Sequence, residues 1–497
     1  MFYGEEGQRN FLWFFALIKL MSYEYMLLYA IFVPIAGAFI LPLAGRYSAM
    51  FRNLMALCLA LSSFVFSLLM LPYVLSGTPI SFTRQLLLGV NLTLTADCLA
   101  VFMALISSFI SAIIIFYSFD YISHYENQNE YYCMVVLFFG AMMGLVFSAN
   151  LILLYVFWEI TAITSWRLIG FFREKTHVLR ADKAFLVTVF GAVLMLTGFV
   201  SIYQQAGSFD MAVIKTHPIS NIAIALILAG ILSKSATLPF HTWLPDAGVA
   251  PSPVTALLHA AILVKIGVYV FARLFLATFT LTEFWHTFIP IIAAASAIVS
   301  AGAALVETDL KRLIAYSTVS QIGFIFFGLA VGNEMAVAGG LLYILMHGLA
   351  KAGLFLCAGI VEQNTKTKDI TKLGGLITTM PVTAISFLFC SFSVMGIPPF
   401  GGFFSKYMVF AGGFTGGNLF TGFVFLVGAF LTILYLFRVF NLVFLGEAKF
   451  SLAKEAGFAM VISVAILAIL SLIGGILVSY PYGFTRTIIA SLPGVVR

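Results

Sequence analysis

The chain has 497 residues, of which 9% are Asp, Glu, Lys or Arg and 62% are hydrophobic, and its formal net charge is +6. This composition excludes a soluble globular protein, in which about 25% of residues are charged. The positive charge gathers in particular loops and does not indicate a nucleic-acid partner. Apolar runs fill almost the whole sequence, and each is long enough to cross roughly 30 Å of hydrocarbon as an α-helix. The sequence therefore predicts an all-α polytopic membrane protein with a single membrane domain over residues 1–497.

Before the first predicted span, Phe11 to Leu20 form an apolar segment too short to cross a bilayer. It is either an interfacial stub or an over-long start before Met21. Acidic Glu5 and Glu6 stand where a secretory signal would be basic, so a cleaved signal is not predicted. After it, about fourteen transmembrane helices are predicted. These spans, numbered 1 to 14, cover residues 26–45, 53–75, 97–122, 131–149, 150–172, 184–205, 221–249, 252–277, 286–306, 312–331, 336–361, 379–413, 416–445 and 457–479.

Loop charges predict the orientation of these spans. Basic residues concentrate in loops that follow odd-numbered spans, and the positive-inside rule therefore places those loops in the cytoplasm. Both chain termini are then expected outside. The odd loops carry Arg46, Arg52, Arg173, Lys175, Arg180, Lys183, Lys311, Arg312, Lys366, Lys368, Lys372, Arg438, Lys449 and Lys454, whereas the even loops and the C-terminus carry Arg84, Lys215, Arg273, Arg486 and Arg497.

With the loop residues set aside, five basic residues, one acid and two histidines stand out inside the predicted spans. A charged group at the centre of a bilayer costs several kcal/mol, so such residues mark ion pathways by default. Arg167 lies near a helix end, where a long side chain can reach the headgroups, and we assign it no role. His259 taken alone is equally a neutral core histidine or a relay residue. The eight are Glu159, Arg167, Lys234, His259, Lys265, His347, Lys351 and Lys406.

Two of the lysines adjoin proline-containing segments that should interrupt a helix. Lys234 precedes Leu238-Pro239-Phe240-His241, and Lys406 follows the run from Gly396 to Gly402, which contains Pro398 and Pro399. Paired interruptions in two halves are typical of repeat-built transporters. Because the interrupted spans 7 and 12 are five spans apart, we predict two inverted five-helix repeats, spans 4–8 over residues 131–277 and spans 9–13 over 286–445.

Spacing along the helices predicts how the central residues are arranged. His347 and Lys351 are four apart and share a helical face, so they can act in series. His259 and Lys265 are six apart, about 240° around a regular α-helix, and are expected to face different neighbours.

The five cysteines are scattered singly through apolar segments, without a C-x-x-C or haem-attachment pattern. We therefore predict no metal site and no cofactor in this chain. The cysteines are Cys58, Cys98, Cys133, Cys357 and Cys390.

Several strings resemble the antiporter-like membrane subunits shared by respiratory complex I, Mrp-type sodium/proton antiporters and membrane-bound hydrogenases or related ferredoxin-driven complexes. Their order and helix-scale spacing make the resemblance specific. The strings are FWEITAITSWRLIGF at 157–171, KSATLPFHTWLPDA at 234–247, PSPVTALLHAA at 251–261, DLKRLIAYSTVSQIG at 309–323 and GGFFSK at 401–406.

The resemblance implies a proton relay through mid-membrane. In that family the glutamate of the fifth helix pairs with the lysine of the seventh, and further Lys or His residues lead to a last Lys or Glu on the twelfth. Carried over by motif, the relay residues are Glu159, Lys234, His259, Lys265, His347, Lys351 and Lys406. Burial disfavours a charged lysine and a nearby carboxylate favours it, so movement of Glu159 would load or unload Lys234.

Three functions are considered: the first is the predicted one, the second is its alternative, and the third is disfavoured because the full set of costly buried charges remains. The first is a proton- or sodium/proton-translocating subunit of a redox-driven complex of the complex I or membrane-bound hydrogenase type. This chain has no catalytic redox site, so iron–sulfur or other redox centres would lie in partner subunits. The second is a subunit of a gradient-driven Mrp-type antiporter without redox chemistry. The third is a scaffold that conducts nothing. Expected partners are other membrane subunits, including related antiporter-like chains, the lipid bilayer, H+ and Na+, in the cytoplasmic membrane of a prokaryote.

Overall fold

The structure is a computed structural model that describes residues 23–85, 91–417, 419–450 and 453–495. The segment Phe11 to Leu20 and the alternative start at Met21 lie outside the described residues. Sixteen labelled helices are α1 (Tyr23–Tyr47), α2 (Ala49–Leu75), α3 (Cys98–Tyr121), α4 (Gln128–Phe147), α5 (Leu151–Ile169), α6 (Lys175–Ala206), α7 (Asn221–Lys234), α8 (Ser252–Leu276), α9 (Glu283–Val306), α10 (Leu310–Val331), α11 (Glu334–Thr365), α12 (Pro381–Met395), α13 (Gly401–Thr415), α14 (Leu419–Phe444), α15 (Phe458–Ile476) and α16 (Ser479–Ala490).

Single-turn helices complete the connections, at Ile122–His124, Met211–Ile214, Trp243–Asp246, Ala247–Val249 and Leu376–Thr378. Within the described residues, twelve helices are long and apolar enough to cross a membrane, namely α1–α6, α8–α11, α14 and α15. The predicted all-α polytopic membrane fold is therefore confirmed. The count of about fourteen spans and the inverted repeats stay predictions.

Predicted spans 7 and 12, in which prolines follow Lys234 and precede Lys406, are both interrupted, as predicted. Helix α7 ends at Lys234, and the chain turns through the Leu238–Pro239 segment before the next short helix. Span 12 is divided into α12 and α13, and Gly396 ends α12 with a left-handed φ of 83° that favours glycine. Proline explains both interruptions, because it lacks an amide donor and clashes with the preceding turn.

Helix α8 departs from regular α-helix geometry between His259 and Lys265. It contains π-helical stretches at Leu257–Ala261 and Ala272–Leu276, and Ile262 breaks the helix with φ −126° and ψ −75°. These wider turns and the break change the angle between His259 and Lys265 from that of a regular α-helix. Both side chains contact helix α11, His259 through Phe355 and Lys265 through Ile344.

Two elements of the structure are not predicted from the apolar runs of the sequence. Strands β1 (Ile80–Gln85) and β2 (Asn91–Ala96) form an antiparallel pair, with Ile80 opposite Ala96. Their alternation of polar and apolar residues is a strand pattern, but a search for long apolar runs does not detect it. Helix α16 is short and more polar than a membrane span, and the same search overlooks it.

The centre of the fold is α11, which packs against α8, α10, α12, α13 and α15 and is almost wholly buried. Helices α1, α2, α6 and α14 instead leave large apolar side chains exposed, for example Phe39 at 63% and Phe190 at 57%. Exposed apolar faces of this kind suit contact with lipid or with other membrane subunits. Ionisable residues carried by α8 and α11 are therefore held away from the lipid.

Candidate functional site

The seven predicted relay residues all lie on helices in the interior of the protein. Glu159 is partly buried, and the six basic residues are at most 2% exposed. We call the seven the buried ionisable line. Its members are Glu159 on α5, Lys234 at the end of α7, His259 and Lys265 on α8, His347 and Lys351 on α11, and Lys406 on α13.

Glu159 and Lys234 are neighbours without a direct ion pair. The ammonium of Lys234 donates a hydrogen bond to the carbonyl of Trp158, 3.1 Å away, and lies 5.2 Å from the centre of the Trp158 ring. Among the described residues, no ion pair within 4.0 Å joins Glu159 to Lys234, and Glu159 Oε1 is buried without a hydrogen-bond partner. Their charges nevertheless interact. The pairing implied by the resemblance therefore stays a prediction, and the structure places Lys234 against the carbonyl of Trp158, the residue before Glu159.

Lys265 and His347 form a direct contact between α8 and α11. Nζ of Lys265 lies 2.9 Å from Nδ1 of His347 and donates a second hydrogen bond of 3.2 Å to the carbonyl of Ile344. The other ring nitrogen of His347 is buried without a partner among the described residues. Because each nitrogen can donate or accept according to its protonation, a proton can be held on either side of this contact.

Lys351 connects α11 to α10 and α14 through two hydroxyl groups. Its ammonium donates to Ser317 Oγ at 2.5 Å and to the carbonyl of Ile314 at 3.3 Å. Ser317 Oγ is in turn 2.6 Å from the hydroxyl of Tyr435, and either oxygen can be the donor. A hydroxyl both accepts and donates, so this series of hydrogen bonds can transmit a change in the protonation of Lys351.

Lys406 lies against the interrupted end of α12. Its ammonium donates to the carbonyl of Val394 at 2.7 Å and faces the rings of Phe324 at 4.6 Å and Tyr343 at 5.6 Å. The Tyr343 hydroxyl donates to Gln321 Oε1 at 2.5 Å. A carbonyl freed by the helix break and two aromatic faces thus surround a buried cation.

His259 makes no hydrogen bond to a described residue, although it is fully buried. Its ring lies 4.3 Å from that of Phe355 on α11. Charges on Lys351 and Lys311 act on it. His259 is therefore a member of the line whose ring nitrogens have no hydrogen-bond partner among the described residues.

Arg167 lies outside this arrangement. Its guanidinium pairs with Glu130 on α4, and its side chain is 37% exposed. This partial exposure agrees with the expected reach of a long side chain towards the membrane surface.

Of three basic residues counted as loop residues, two are buried and the third is largely so. Arg52 is 3% exposed and bonds to Asn129 on α4. Lys311 is 1% exposed and pairs with Glu362, while Arg273, whose side chain is 12% exposed, pairs with Asp97. All three lie near the ends of predicted spans, where hydropathy does not predict burial. The burial follows from contacts with residues that are distant in the sequence. Among the described residues, no group of three or more His, Cys, Asp or Glu side chains is arranged to hold a metal ion.

Comparisons with known proteins agree with this fold and motif order. The profile of the family described as "NADH:quinone oxidoreductase/Mrp antiporter, TM" matches residues 148–432, and that of "NADH-Ubiquinone oxidoreductase (complex I), chain 5 N-terminus" matches residues 86–132. The Na(+)/H(+) antiporter subunit A1 of Staphylococcus aureus is 32% identical over 93% of this chain. The aligned part of this chain spans 62% of that relative's length, and the same holds for the subunit from Staphylococcus haemolyticus.

Two solved structures share the fold. A chain of the Mrp complex from Dietzia sp. superposes with a TM-score of 0.86 at 21% identity, covering 95% of this chain and 98% of that one. A chain of the archaeal membrane-bound sulfane sulfur reductase superposes with a TM-score of 0.85 at 23% identity, covering 94% and 97%. The family match extends over more than half of the sequence, and the chain therefore belongs to the family of NADH:quinone oxidoreductase and Mrp antiporter membrane subunits.

Proposed function

We propose that this chain is a cation-translocating subunit of a multisubunit membrane complex and that protons move along the buried ionisable line. The observation that carries the proposal is the burial of six basic side chains to at most 2% exposure inside one helical protein. Each charge buried in this way is costly unless it is paired or serves transport. A scaffold that conducts nothing would have no use for all of them.

The proposed path runs from Lys234 through Lys265, His347 and Lys351 to Lys406. Lys265 and His347 are already in hydrogen-bond contact, and Lys351 reaches towards α14 through Ser317. Glu159 sets the charge of Lys234 from across the Trp158 backbone. The remaining steps would use internal water, which commonly bonds to buried polar groups that lack protein partners.

For the driving force, we propose a gradient-driven sodium/proton antiporter complex. The similarity to Na(+)/H(+) antiporter subunits over 93% of this chain supports this choice. A redox-driven complex is the second candidate, because the family description includes NADH:quinone oxidoreductase and one solved structure with the same fold belongs to a sulfane sulfur reductase. In both cases the partners are other membrane subunits, and the location is the cytoplasmic membrane of a prokaryote.

The test is proton flux measured in vesicles that contain the assembled complex, with wild type compared with Lys234→Ala and Lys215→Ala. Lys215 is an exposed lysine outside the line and serves as the control. We expect Lys234→Ala to lower flux at least tenfold with normal assembly, and Lys215→Ala to behave like wild type. Wild-type flux in Lys234→Ala would refute the relay. Flux driven by a sodium gradient alone supports the antiporter, whereas flux that requires a reductant supports the redox complex.

A further inference from the structure

A polar contact surface between α8 and α11 leads from one face of the protein towards the buried ionisable line. Ser252, Thr255 and His259 follow each other on α8 at spacings of three and four residues, which places them on one side of the helix. Ser252 and His259 face α11, where Gly359 leaves room for Ser252 and Phe355 packs on His259, and buried Thr255 lies between them along α8. We call this surface the α8–α11 seam.

The outer end of the seam is a buried lysine paired with a carboxylate that reaches solvent. Lys311 is 1% exposed, and its ammonium donates to Glu362 Oε2 at 2.9 Å and to the carbonyl of Ala250 at 2.9 Å. Glu362 is 27% exposed, and its Oε2 also accepts a hydrogen bond of 3.5 Å from Ser252. The Glu362 carboxylate therefore contacts both solvent and the first residue of the seam.

This end lies on the face formed by loops 307–309 and 366–375, which we call the basic face and which the loop charges predict to be cytoplasmic. Lys368 approaches Glu362 to 3.8 Å there. A surface cavity of about 590 Å³ opens on the same face and is lined by Tyr125 and by Gln363, the residue after Glu362. Water can thus reach the neighbourhood of the carboxylate.

The inner end of the seam is His259. Both of its ring nitrogens are buried without a partner among the described residues. Buried polar atoms are nearly always hydrogen-bonded to protein or to internal water, so the unused nitrogens indicate that this ring binds a small polar species. Thr255, one turn earlier, donates its hydroxyl to the carbonyl of Ser252 at 2.8 Å and keeps its oxygen lone pairs as acceptors.

We propose that Glu362 and Lys311 form a proton-loading site on the basic face, and that the α8–α11 seam carries the proton from Glu362 to His259. This inference rests on the proposed function. It adds a second point of loading, since a proton on His259 reaches the middle of the line without passing Lys234. Lys234 and Glu159 keep their switching role, which depends on charge and not on the source of the proton.

The transfer is balanced and involves no electrons. The Glu362 carboxylate takes a proton from water on the basic face and becomes a neutral carboxyl group. That proton passes through water and the hydroxyls of Ser252 and Thr255 to a ring nitrogen of His259, which becomes an imidazolium. Glu362 returns to the carboxylate paired with Lys311, and His259 releases its proton to the line at His347 or Lys351.

The alternative is that Lys311 and Glu362 only fasten α10 to α11 and that the seam is dry. Thr255→Val separates the two, because it removes the hydroxyl and keeps the side-chain shape. Thr188→Val on α6 is the matched control, since Thr188 is also buried and also bonds to a carbonyl of its own helix, at 2.9 Å. We expect Thr255→Val to lower proton flux at least fivefold, Thr255→Ser to restore it, and Thr188→Val to leave it unchanged. Wild-type flux in an assembled Thr255→Val complex would overturn the inference.

A labelling experiment gives a result that does not depend on flux or on the folding of the Thr255 variants. Ser252→Cys and Ser63→Cys are compared in a variant without the five native cysteines, using a small charged methanethiosulfonate reagent. Ser63 is fully buried between α1 and α2 and serves as the dry control. Reaction of Ser252→Cys from the basic face only, with Ser63→Cys unreactive, supports a wet seam. Equal lack of reaction at both positions contradicts it.

The two proposals fail in distinguishable ways. If Lys234→Ala stops flux while Thr255→Val transports normally and Ser252→Cys is unreactive, the line is correct and the seam is wrong. If Lys234→Ala and Lys351→Met both transport normally, the relay itself is wrong, whatever the labelling at Ser252.

Discussion

Nζ of Lys265 lies 2.9 Å from Nδ1 of His347, a contact that requires one nitrogen to donate and the other to accept. If both groups were protonated, two N–H donors would face each other without an acceptor. Lys265 on α8 and His347 on α11 therefore share a single proton along this contact.

Replacement of His347 tests whether this shared position transports protons. His347→Gln keeps an acceptor for Lys265 but cannot carry a proton at neutral pH, so we expect at least a tenfold loss of proton flux in vesicles with normal assembly. The control is His286→Gln, because His286 is a partly buried histidine on α9 outside the line. If His347 only accepts a hydrogen bond, His347→Gln will transport like wild type.

The hydroxyl of Tyr435 gives a second prediction. It bonds to Ser317 Oγ, which accepts from Lys351. Tyr435→Phe removes only this hydroxyl. The Ser317 hydroxyl then loses its hydrogen-bond partner on α14 and can no longer pass on a change in the charge of Lys351, so proton flux should fall severalfold. The matched control is Tyr131→Phe, since Tyr131 forms a similar buried pair of 2.7 Å with Ser118 on α3. Equal flux in both variants would exclude the Tyr435 hydroxyl from the relay.

Glu159 should act through its charge. Glu159→Gln keeps the shape of the side chain but removes the anion that favours a protonated Lys234, and we expect a sharp fall in coupled transport. Glu159→Asp keeps the anion on a chain one methylene shorter and should be partly active. The measurement is ion flux at matched levels of assembled complex, and equal activity of both variants and wild type would contradict the switch.

The position of Lys406 allows two roles that one pair of variants separates. As the exit of the line, Lys406→Glu should keep some flux, because a carboxylate can also take up and release a proton, while Lys406→Met should keep almost none. If Lys406 is instead a structural plug on the carbonyl of Val394, the two variants should differ in assembly. Lys406→Met should then assemble normally, and Lys406→Glu should disrupt assembly. Flux and assembly are therefore measured together, and an active, assembled Lys406→Met would end the exit hypothesis.

The buried ion pair between Arg273 and Asp97 predicts a loss of stability. Two guanidinium nitrogens of Arg273 donate to Asp97 at 2.5 and 2.7 Å. Arg273→Met leaves the Asp97 carboxylate, whose side chain is 29% exposed, without its partner and should lower the free energy of unfolding by about 1 to 3 kcal/mol. Adding Asp97→Asn should recover much of this loss. As a control, Lys372→Met removes an exposed pair with Asp369 and should change nothing measurable. Thermal unfolding in detergent reports all three variants.

Local sequence was sufficient to predict the long apolar helices and the interruptions next to Lys234 and Lys406. Apolar runs predict spans because the bilayer requires them, and the prolines after Lys234 and before Lys406 remove backbone amide donors at those points of the helix. The candidate residues of the line could also be found locally, because a buried charge is conspicuous in an apolar sequence.

Contacts between distant parts of the chain could not be predicted in the same way. The burial of Lys311 depends on Glu362, which lies on another helix 51 residues away. The π-helical turn before Ile262 contains His259, whose ring contacts Phe355 on α11. No residue pattern in that stretch predicts the π-helical turn. The sequence analysis therefore identified ionisable residues but missed the acidic partner that joins the seam to the surface.

Helix α11 carries residues of three separate contacts on one continuous backbone, because His347, Lys351 and Glu362 all belong to it. Their partners lie on α8 and α10. An intact helix moves as a rigid body, so a rotation or an axial shift of α11 cannot lengthen one of these contacts while leaving the other two unaltered. The outer carboxylate and the central histidine are thereby synchronised mechanically, over a span of fifteen residues and about 22 Å of helix axis.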